Sequence, residues 1–324
     1  MLEKAIFSIK NSIDFETVAL QVFKYQYEHV AVYRDFCKFL NKTPYTVTSL
    51  DSIPFLPIEF FKSHKILSSE REEKVIFTSS GTTGSVTSKH YVPNITLYEK
   101  SFITTFQLFY GSPAQWTILA LLPSYLERKD SSLIYMVQSL INTSKNTNSG
   151  FYLNDLDALI QKIIEQEANA KKTLLIGVSY ALLDLIEKHT FKLQHTTIME
   201  TGGMKGKRKE LIKKALHEKL KNGFGVSQIH SEYGMTELLS QAYSTGDGLF
   251  QTPPWMKIRT RDTEDALSWV IEKTGGINVI DLANLYSCSF IATQDLGKLH
   301  RNGNFEILGR FDASDIRGCN LMVL

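Results

Sequence analysis

Three cysteines among 324 residues, an odd and sparse number, exclude a disulfide framework. Cys37, Cys288 and Cys319 also lack the paired spacing of a zinc site, so they read as reduced thiols. No apolar run approaches the roughly 20 residues that span a bilayer. The opening MLEKAIFSIKNSIDFE turns polar and acidic too soon for a secretory leader, and the expected location is the cytoplasm. Neither sign of charge dominates: 36 basic against 34 acidic side chains leave +2, with no concentrated basic field to call for nucleic acid or a membrane surface. Internal repeats and low-complexity tracts are missing too. What remains, 43% hydrophobic and 22% charged, is an ordinary globular composition, long enough for a large core and a smaller subdomain.

From Asp14 to Leu40 apolar residues recur at helical spacing (Phe15, Val18, Ala19, Val22, Phe23, Tyr27, Val30, Phe36), which predicts one or two amphipathic helices on a core. IPFLPIEFFK, Ile53 to Lys62, carries two prolines and reads as an extended, packed connection. Short β-branched runs then alternate with helical stretches. VIFT at Val75, WTILALL at Trp116, TLLIGV at Thr173, TTIME at Thr196 and VSQIHSEY at Val226 are the strands. Residues 97–109, 133–141, 153–167, 181–188 and 207–221 are the helices, and such alternation predicts an α/β sheet covered by helices. Beyond about Leu249, WMKIRTR, SWVIEK, GINVIDL, CSFIAT and NFEILGR are strand-like pieces joined by Gly, Asp and Asn turns. The expected organisation is an α/β body over 1–248 and a β-rich subdomain over 249–324.

VIFT runs directly into SSGTTGS, a strand feeding a glycine-rich turn where backbone N–H groups and hydroxyls can converge on phosphate oxygens. Its glycines, Gly81 and Gly84, fit neither the G-x-x-x-x-G-K-[ST] nor the G-x-G-x-x-G spacing, so the turn taken alone reads more readily as a solvated loop than as a nucleotide site. HSEYGMTEL, His230 to Leu238, gathers an aromatic, a glycine, a hydroxyl and a carboxylate at the end of a strand-like run. There Tyr233 can stack on a base, Thr236 can donate to a phosphate, and Glu237 offers the hard oxygen that magnesium prefers. In ATQDLGKL, Asp295 is either a turn former or an acceptor for two ribose hydroxyls, and ILGRFDASDIRGCN offers Arg310 and Asp312.

In this order and at these separations SSGTTG, YGMTE, TQDLG and GRFD resemble the adenylate-forming superfamily of acyl and aryl ligases. IPFLPIEFFK, ETGGMKGKRKE, HSEYGMTE and GRFDASDIRGCN are most similar to the acyl-protein synthetases of the bacterial luminescence fatty-acid reductase system, with phenylacetate-CoA ligases as a nearby branch. The resemblance implies an adenylation-type α/β domain, ATP and Mg²⁺, and two steps: a carboxylic acid joins the α-phosphate of ATP, and a thiol then captures the acyl group. It implies that Ser79, Ser80, Gly81, Thr82, Thr83 and Gly84 hold the β and γ phosphates, with Lys89 as an approximate stand-in for the superfamily's loop lysine. The backbone at Thr201, Gly202 and Gly203 and the ring of Tyr233, next to Gly234, would frame adenine. Thr236 would meet the α-phosphate, Glu237 the magnesium ion, and Asp295 with Arg310 the ribose. The mobile C-terminal domain and its catalytic lysine have no counterpart here, which puts the superfamily's domain rotation in question. A fatty or other carboxylic acid is the implied substrate, with an acyl-CoA-reductase-type protein or coenzyme A as the acceptor side.

By the same resemblance Cys319 would carry the acyl group. Arg317 nearby would favour its thiolate and Gly318 would let the segment move. The opposing reading is an inert terminal cysteine, and Cys37 and Cys288 read as core residues. GVSYA, with Ser179 between a strand and a helix, superficially follows the nucleophile-elbow pattern G-x-S-x-G of a serine hydrolase, but Ala181 replaces the last glycine and no later Asp and His stand out as partners, so a structural strand-to-helix turn lining the acyl pocket is the favoured reading and the hydrolase its rival. The lysine-rich stretch 205–221 reads as a solvated helix face or a docking surface for an acidic or phosphate-bearing partner. A nucleotide-binding module without catalysis is the third alternative.

Overall fold

The structure is a computed structural model that describes residues 1–80, 86–123, 127–202, 208 and 211–311. The chain begins with α1 (Leu2–Ile6), α2 (Ser12–His29) and α3 (Ala31–Phe39). Asn11 caps α2 by accepting the amides of Ile13 and Asp14, and the stripe Phe15, Val18, Ala19, Val22 and Phe23 is buried, as its spacing predicts. Val30, in an extended conformation, separates α2 from α3. The segment 53–62 is only half extended. It forms β1 (Leu56–Pro57) and then one helical turn, α4 (Phe60–Ser63), because both prolines precede the turn and none follows inside it.

A two-stranded antiparallel hairpin, β2 (Val75–Thr78) with β3 (Lys89–Val92), carries the hydroxyl-rich turn at its tip. The α/β alternation follows: α5 (Ile95–Tyr110), β4 (Thr117–Leu121), α6 (Ser132–Ser144), β5 (Gly150–Phe151), α7 (Leu156–Ala168), β6 (Thr173–Val178), α8 (Ser179–Lys188), β7 (Thr196–Thr201), α9 (Lys213–Phe224) and β8 (His230–Tyr233). Strands β4 to β8 pair in parallel, and β4 and β6 are buried throughout, as expected of a sheet covered on both faces. Helix α9 begins at Lys213, later than its lysine pattern predicts. Ile212 is extended there, and its side chain is 75% exposed.

From β8 onward the strand direction alternates through β9 (Ala242–Ser244), β10 (Phe250–Gln251), β11 (Met256–Arg261), β12 (Trp269–Val270), β13 (Thr274–Asp281), β14 (Phe290–Leu299) and β15 (Phe305–Arg310). All of these join the parallel strands in one 13-stranded sheet ordered β12-β11-β13-β14-β15-β10-β9-β8-β7-β6-β4-β5, with β1 pairing parallel to β14. The fold is mixed α/β, as predicted. The N-terminal helices lie against the antiparallel half: the rings of Tyr33 and Phe290 stack at 6.0 Å, and Gln26 donates to the carbonyls of Asn284 and Leu285. Among the described residues, no helix is long and apolar enough to cross a membrane. Cys37 and Cys288 are buried core residues, and burial pushes the Cys37 thiol up to about 12.

Candidate functional site

The C-terminal end of β8 brings three separate stretches of sequence together. Its last residue, Tyr233, donates its hydroxyl to Asp295 of β14 at 2.8 Å, although the two are 62 positions apart in the sequence. Antiparallel register places Arg310 of β15 opposite Asp295, with the guanidinium Nε 3.5 Å from the carboxylate. Burial raises the Asp295 pKa, against the pull of the Tyr233 hydroxyl and the Arg310 and Arg261 charges. The Tyr233 ring sits edge-on between Phe250 and Phe305 at 6.0 and 5.8 Å and is 9% exposed, so its position is fixed by packing. At Gly234, which follows, a Cβ would lie 2.5 Å from a Glu232 carboxylate oxygen, so any larger residue would require that side chain to shift.

Just beyond, Thr236 is half-buried and Glu237 is buried. Burial raises the Glu237 pKa, while a hydrogen bond from Ser88 and the charges of Lys62 and Arg310 oppose the rise. Ser88 belongs to the hairpin that carries the hydroxyl-rich turn. The turn is closed at its base by two bonds: the Ser79 amide to the Ser88 carbonyl at 3.1 Å, and the Ser88 amide to Ser79 Oγ at 2.9 Å. Ser80 and Lys89 are exposed, and Gly81, Thr82, Thr83 and Gly84 lie outside the described residues. On the other flank, Gly202 adopts a left-handed φ of 66° at the end of β7, while Gly203 and Cys319 lie outside the described residues.

Two buried carboxylates support this rim from β7 and β8. Glu200 lies 2.9 Å from Lys213 Nζ; burial would raise its pKa, but that charge, with hydrogen bonds from His217, Ser231 and Lys213, holds it down to about 2. Glu232 is bonded by Thr201 Oγ1, yet burial and the Glu200 charge push it up to about 7. Ser179 donates to Glu200 at 3.3 Å and to the Gly202 carbonyl at 3.0 Å. It is 1% exposed and faces a carboxylate and a carbonyl, so the GVSYA turn is a structural support of the Gly202 flank rather than a nucleophile elbow. His217 offers no relay either, because Ser231 and Glu200 both approach its one Nε2.

Sequence reasoning missed four polar residues around Thr236 and Glu237. His90 contacts the Thr236 carbonyl, Asn284 donates to the Glu237 carbonyl at 2.7 Å, the Asp281 carboxylate accepts the Leu239 and Ser240 amides at 2.8 Å each, and Lys62 adds positive charge. The signal for the first three is a polar residue in an otherwise apolar run, as in KHYV and NVIDLAN.

Comparison with known proteins gives this geometry a lineage. The family model described as "Acyl-protein synthetase, LuxE" matches residues 8–324. The chain belongs to that family. A 68-residue stretch is 38% identical to the long-chain-fatty-acid–luciferin-component ligase of Photorhabdus luminescens, covering 21% of this chain and 58% of that protein. Among solved structures, 2-hydroxyisobutyryl-CoA ligase in complex with 2-HIB-AMP and CoA superposes with a TM-score of 0.66 at 12% identity, over 94% of this chain and 72% of that one. ATP-bound MatB from Rhodopseudomonas palustris superposes at 0.54 and 20% identity, over 72% and 47%. At such identities the likeness carries the fold.

Proposed function

We propose that this acyl-protein synthetase family member activates a carboxylic acid, a fatty acid by kinship, with ATP and passes the acyl group to a thiol. The carboxylate oxygen attacks the α-phosphorus, the bond from that phosphorus to the bridging oxygen breaks, and pyrophosphate leaves. A thiolate then attacks the acyl carbonyl of the adenylate and AMP departs with the oxygen. The observation that carries this reading is the contact of Tyr233, Asp295 and Arg310 beside buried Glu237. A carboxylate able to accept a ribose diol, two cations and an acidic oxygen ligand face one rim from four distant parts of the sequence.

The donor set suits magnesium held jointly with phosphates. Among the described residues no three His, Cys, Asp or Glu gather into a cage, and Mg²⁺ characteristically takes one or two carboxylates and leaves the remaining positions to phosphate and water. Glu237 would be that carboxylate, with Ser88 and Lys62 oriented about it. Magnesium would neutralise phosphate charge; the chain itself orients the nucleotide through Asp295, Arg310, Thr236 and the Ser79–Gly84 turn. Cys319 is the acceptor we propose within the chain.

The test is carboxylic-acid-dependent exchange of pyrophosphate into ATP across a panel of chain lengths, followed by intact mass of wild type and Cys319→Ser. Exchange that needs the acid, lost by about a hundredfold in Asp295→Asn, is the expected outcome. An acyl adduct present in wild type and lost in Cys319→Ser identifies the thiol. Exchange without an adduct, with product formed only on adding coenzyme A, moves the acceptor to that thiol, and no exchange with any acid overturns the reading.

A further inference from the structure

We infer that His90 is a positioning residue: its ring holds the main chain at Thr236 and so ties the hydroxyl-rich hairpin and Glu237 into one rigid unit. This rests on the ligase reading above and adds to it a residue with no contact to the reacting groups.

The argument begins with strand alternation. In β3, Lys89 is exposed while His90 and Val92 are buried, and Ser88 points inward just before them. His90 is 1% exposed, with the Phe61 ring edge-on at 5.7 Å. Its Nδ1 lies 2.9 Å from the Thr236 carbonyl oxygen and its Nε2 lies 2.9 Å from Ser287 Oγ. A carbonyl only accepts, so Nδ1 must carry the proton. Burial lowers the ring pKa to about 4, so near neutral pH it carries one proton; Nε2 is then bare and the Ser287 hydroxyl donates into it. One tautomer is therefore selected from both sides.

The next carbonyl, of Glu237, accepts from Asn284 Nδ2 at 2.7 Å, and the Leu239 and Ser240 amides end on Asp281. The main chain from Thr236 to Ser240 is thus held at four points, two by Asp281 at the end of β13, one by Asn284 in the turn after it and one by His90 of β3. Among the described residues, the His90 bond is the one that reaches the main chain of that segment from the hairpin. The same strand start supplies Ser88, which bonds the Glu237 carboxyl and closes the turn with Ser79. Without the Nδ1 bond, the base of the turn proposed to hold phosphates would keep its Ser88 side-chain bond to Glu237 but lose its hold on the main chain beside that carboxylate, and the spacing between the two would loosen.

The experiment compares wild type, His90→Asn and His90→Gln in acid-dependent pyrophosphate exchange, with a thermal melt of each. Asparagine places an amide N–H where Nδ1 stood; glutamine places it near Nε2. The expected result is an apparent KM for MgATP raised about tenfold or more in His90→Gln and restored to within about threefold of wild type in His90→Asn, with the KM for the acid unchanged in both. Equal loss in both variants, no loss in either, or a KM for the acid that rises in step overturns the inference. Should neither variant fold, the ¹⁵N imidazole spectrum of wild type decides, because a proton on Nε2 instead of Nδ1 overturns it and a proton on Nδ1 supports it. A wild type without any exchange sinks the ligase reading instead. The His90 inference is then judged by MgATP dissociation constants for the same three proteins, with the same ordering required.

Discussion

Glu200 and Glu232 lie one residue before the ends of neighbouring parallel strands, and their titrations are pushed in opposite directions by their different partners. Glu200 has Lys213 at 2.9 Å; for Glu232, burial and the repulsion of Glu200 outweigh the Thr201 hydroxyl and a lesser pull from the Lys213 charge. Glu200, held down to about 2, contributes stability that is complete above the ordinary carboxylate value and is lost as pH falls from 4.5 toward 2. Glu232, raised from 4.5 to about 7, keeps its proton in the folded state across that interval. It therefore penalises the fold above pH 7, and the penalty disappears as pH falls toward 4.5. Asp281, raised to about 6, acts in the same direction, while His90 and His230, both lowered to about 4 by burial, act in the other, so a single pH curve mixes several signs. The difference between wild type and Glu232→Gln isolates one group. Between pH 7.5 and 5.0 wild type should gain on the variant by up to about 3 kcal/mol in denaturant unfolding, and parallel curves would show that Glu232 is ionised in the fold.

At the scale of elements, helix α2 shows what periodicity reveals and what it hides. Its apolar stripe was legible because burial repeats with the helical turn, and Phe15, Val18, Ala19, Val22 and Phe23 all lie in the core. Gln26 continues the same stripe with a polar side chain, fully buried, and periodicity alone is silent about why. Its Nε2 donates at 3.0 Å to the Asn284 and Leu285 carbonyls and to Ser289 Oγ, while its Oε1 accepts the Ser289 amide. These partners form the turn that supplies Asn284 to Glu237, so a helix near the start of the chain supports the candidate site from two contacts away. Gln26→Leu would strand those buried groups, with an expected loss of about 3 kcal/mol in urea unfolding, against less than about 0.5 kcal/mol for Lys24→Ala on the exposed face of the same helix. Equal midpoints for the two variants would show that the turn is held by packing. Other elements escaped the sequence for different reasons. β5, β9 and β10 are two or three residues long, too short to show a period, and Asp295-Leu296-Gly297 resembles a turn but runs inside β14. There the glycine permits a close approach to the Glu306 carbonyl at an irregularity in the pairing.

Across the whole molecule, Tyr233, Asp295 and Arg310 of three motifs read from the sequence meet at one rim, yet motifs do not state how the two halves of the sheet are joined. The direct seam is narrow: β10 pairs with β15 through Phe250 and Phe305, whose rings stack at 5.3 Å, and with β9 through two residue pairs. Independent halves would be expected if that were all. Lateral connections argue otherwise. Trp255, in the antiparallel half, shares its indole N–H between Ser101 of α5 and Ser240, each at 3.0 Å, and the Tyr286 hydroxyl donates to Glu3 at 2.7 Å. β1 pairs with β14, and His90 ties β3 to Ser287. Contacts of such large sequence separation are gained or lost together, so the described body should unfold as one unit despite its change of strand direction. The three tryptophans permit a direct test, since Trp116 precedes β4 in the parallel half and Trp269 lies in β12 at the far edge. In proteins retaining only Trp116 or only Trp269, the fluorescence midpoint in urea should coincide with the far-ultraviolet circular dichroism midpoint of the same protein, within about 0.2 M. A Trp269 transition well below the circular dichroism midpoint, with Trp116 unmoved, would mean that the β-rich half opens alone. The rim that joins Tyr233 to Asp295 would then be a hinge between two independently stable bodies, and the site would have to be assembled by its nucleotide instead of being built into the fold.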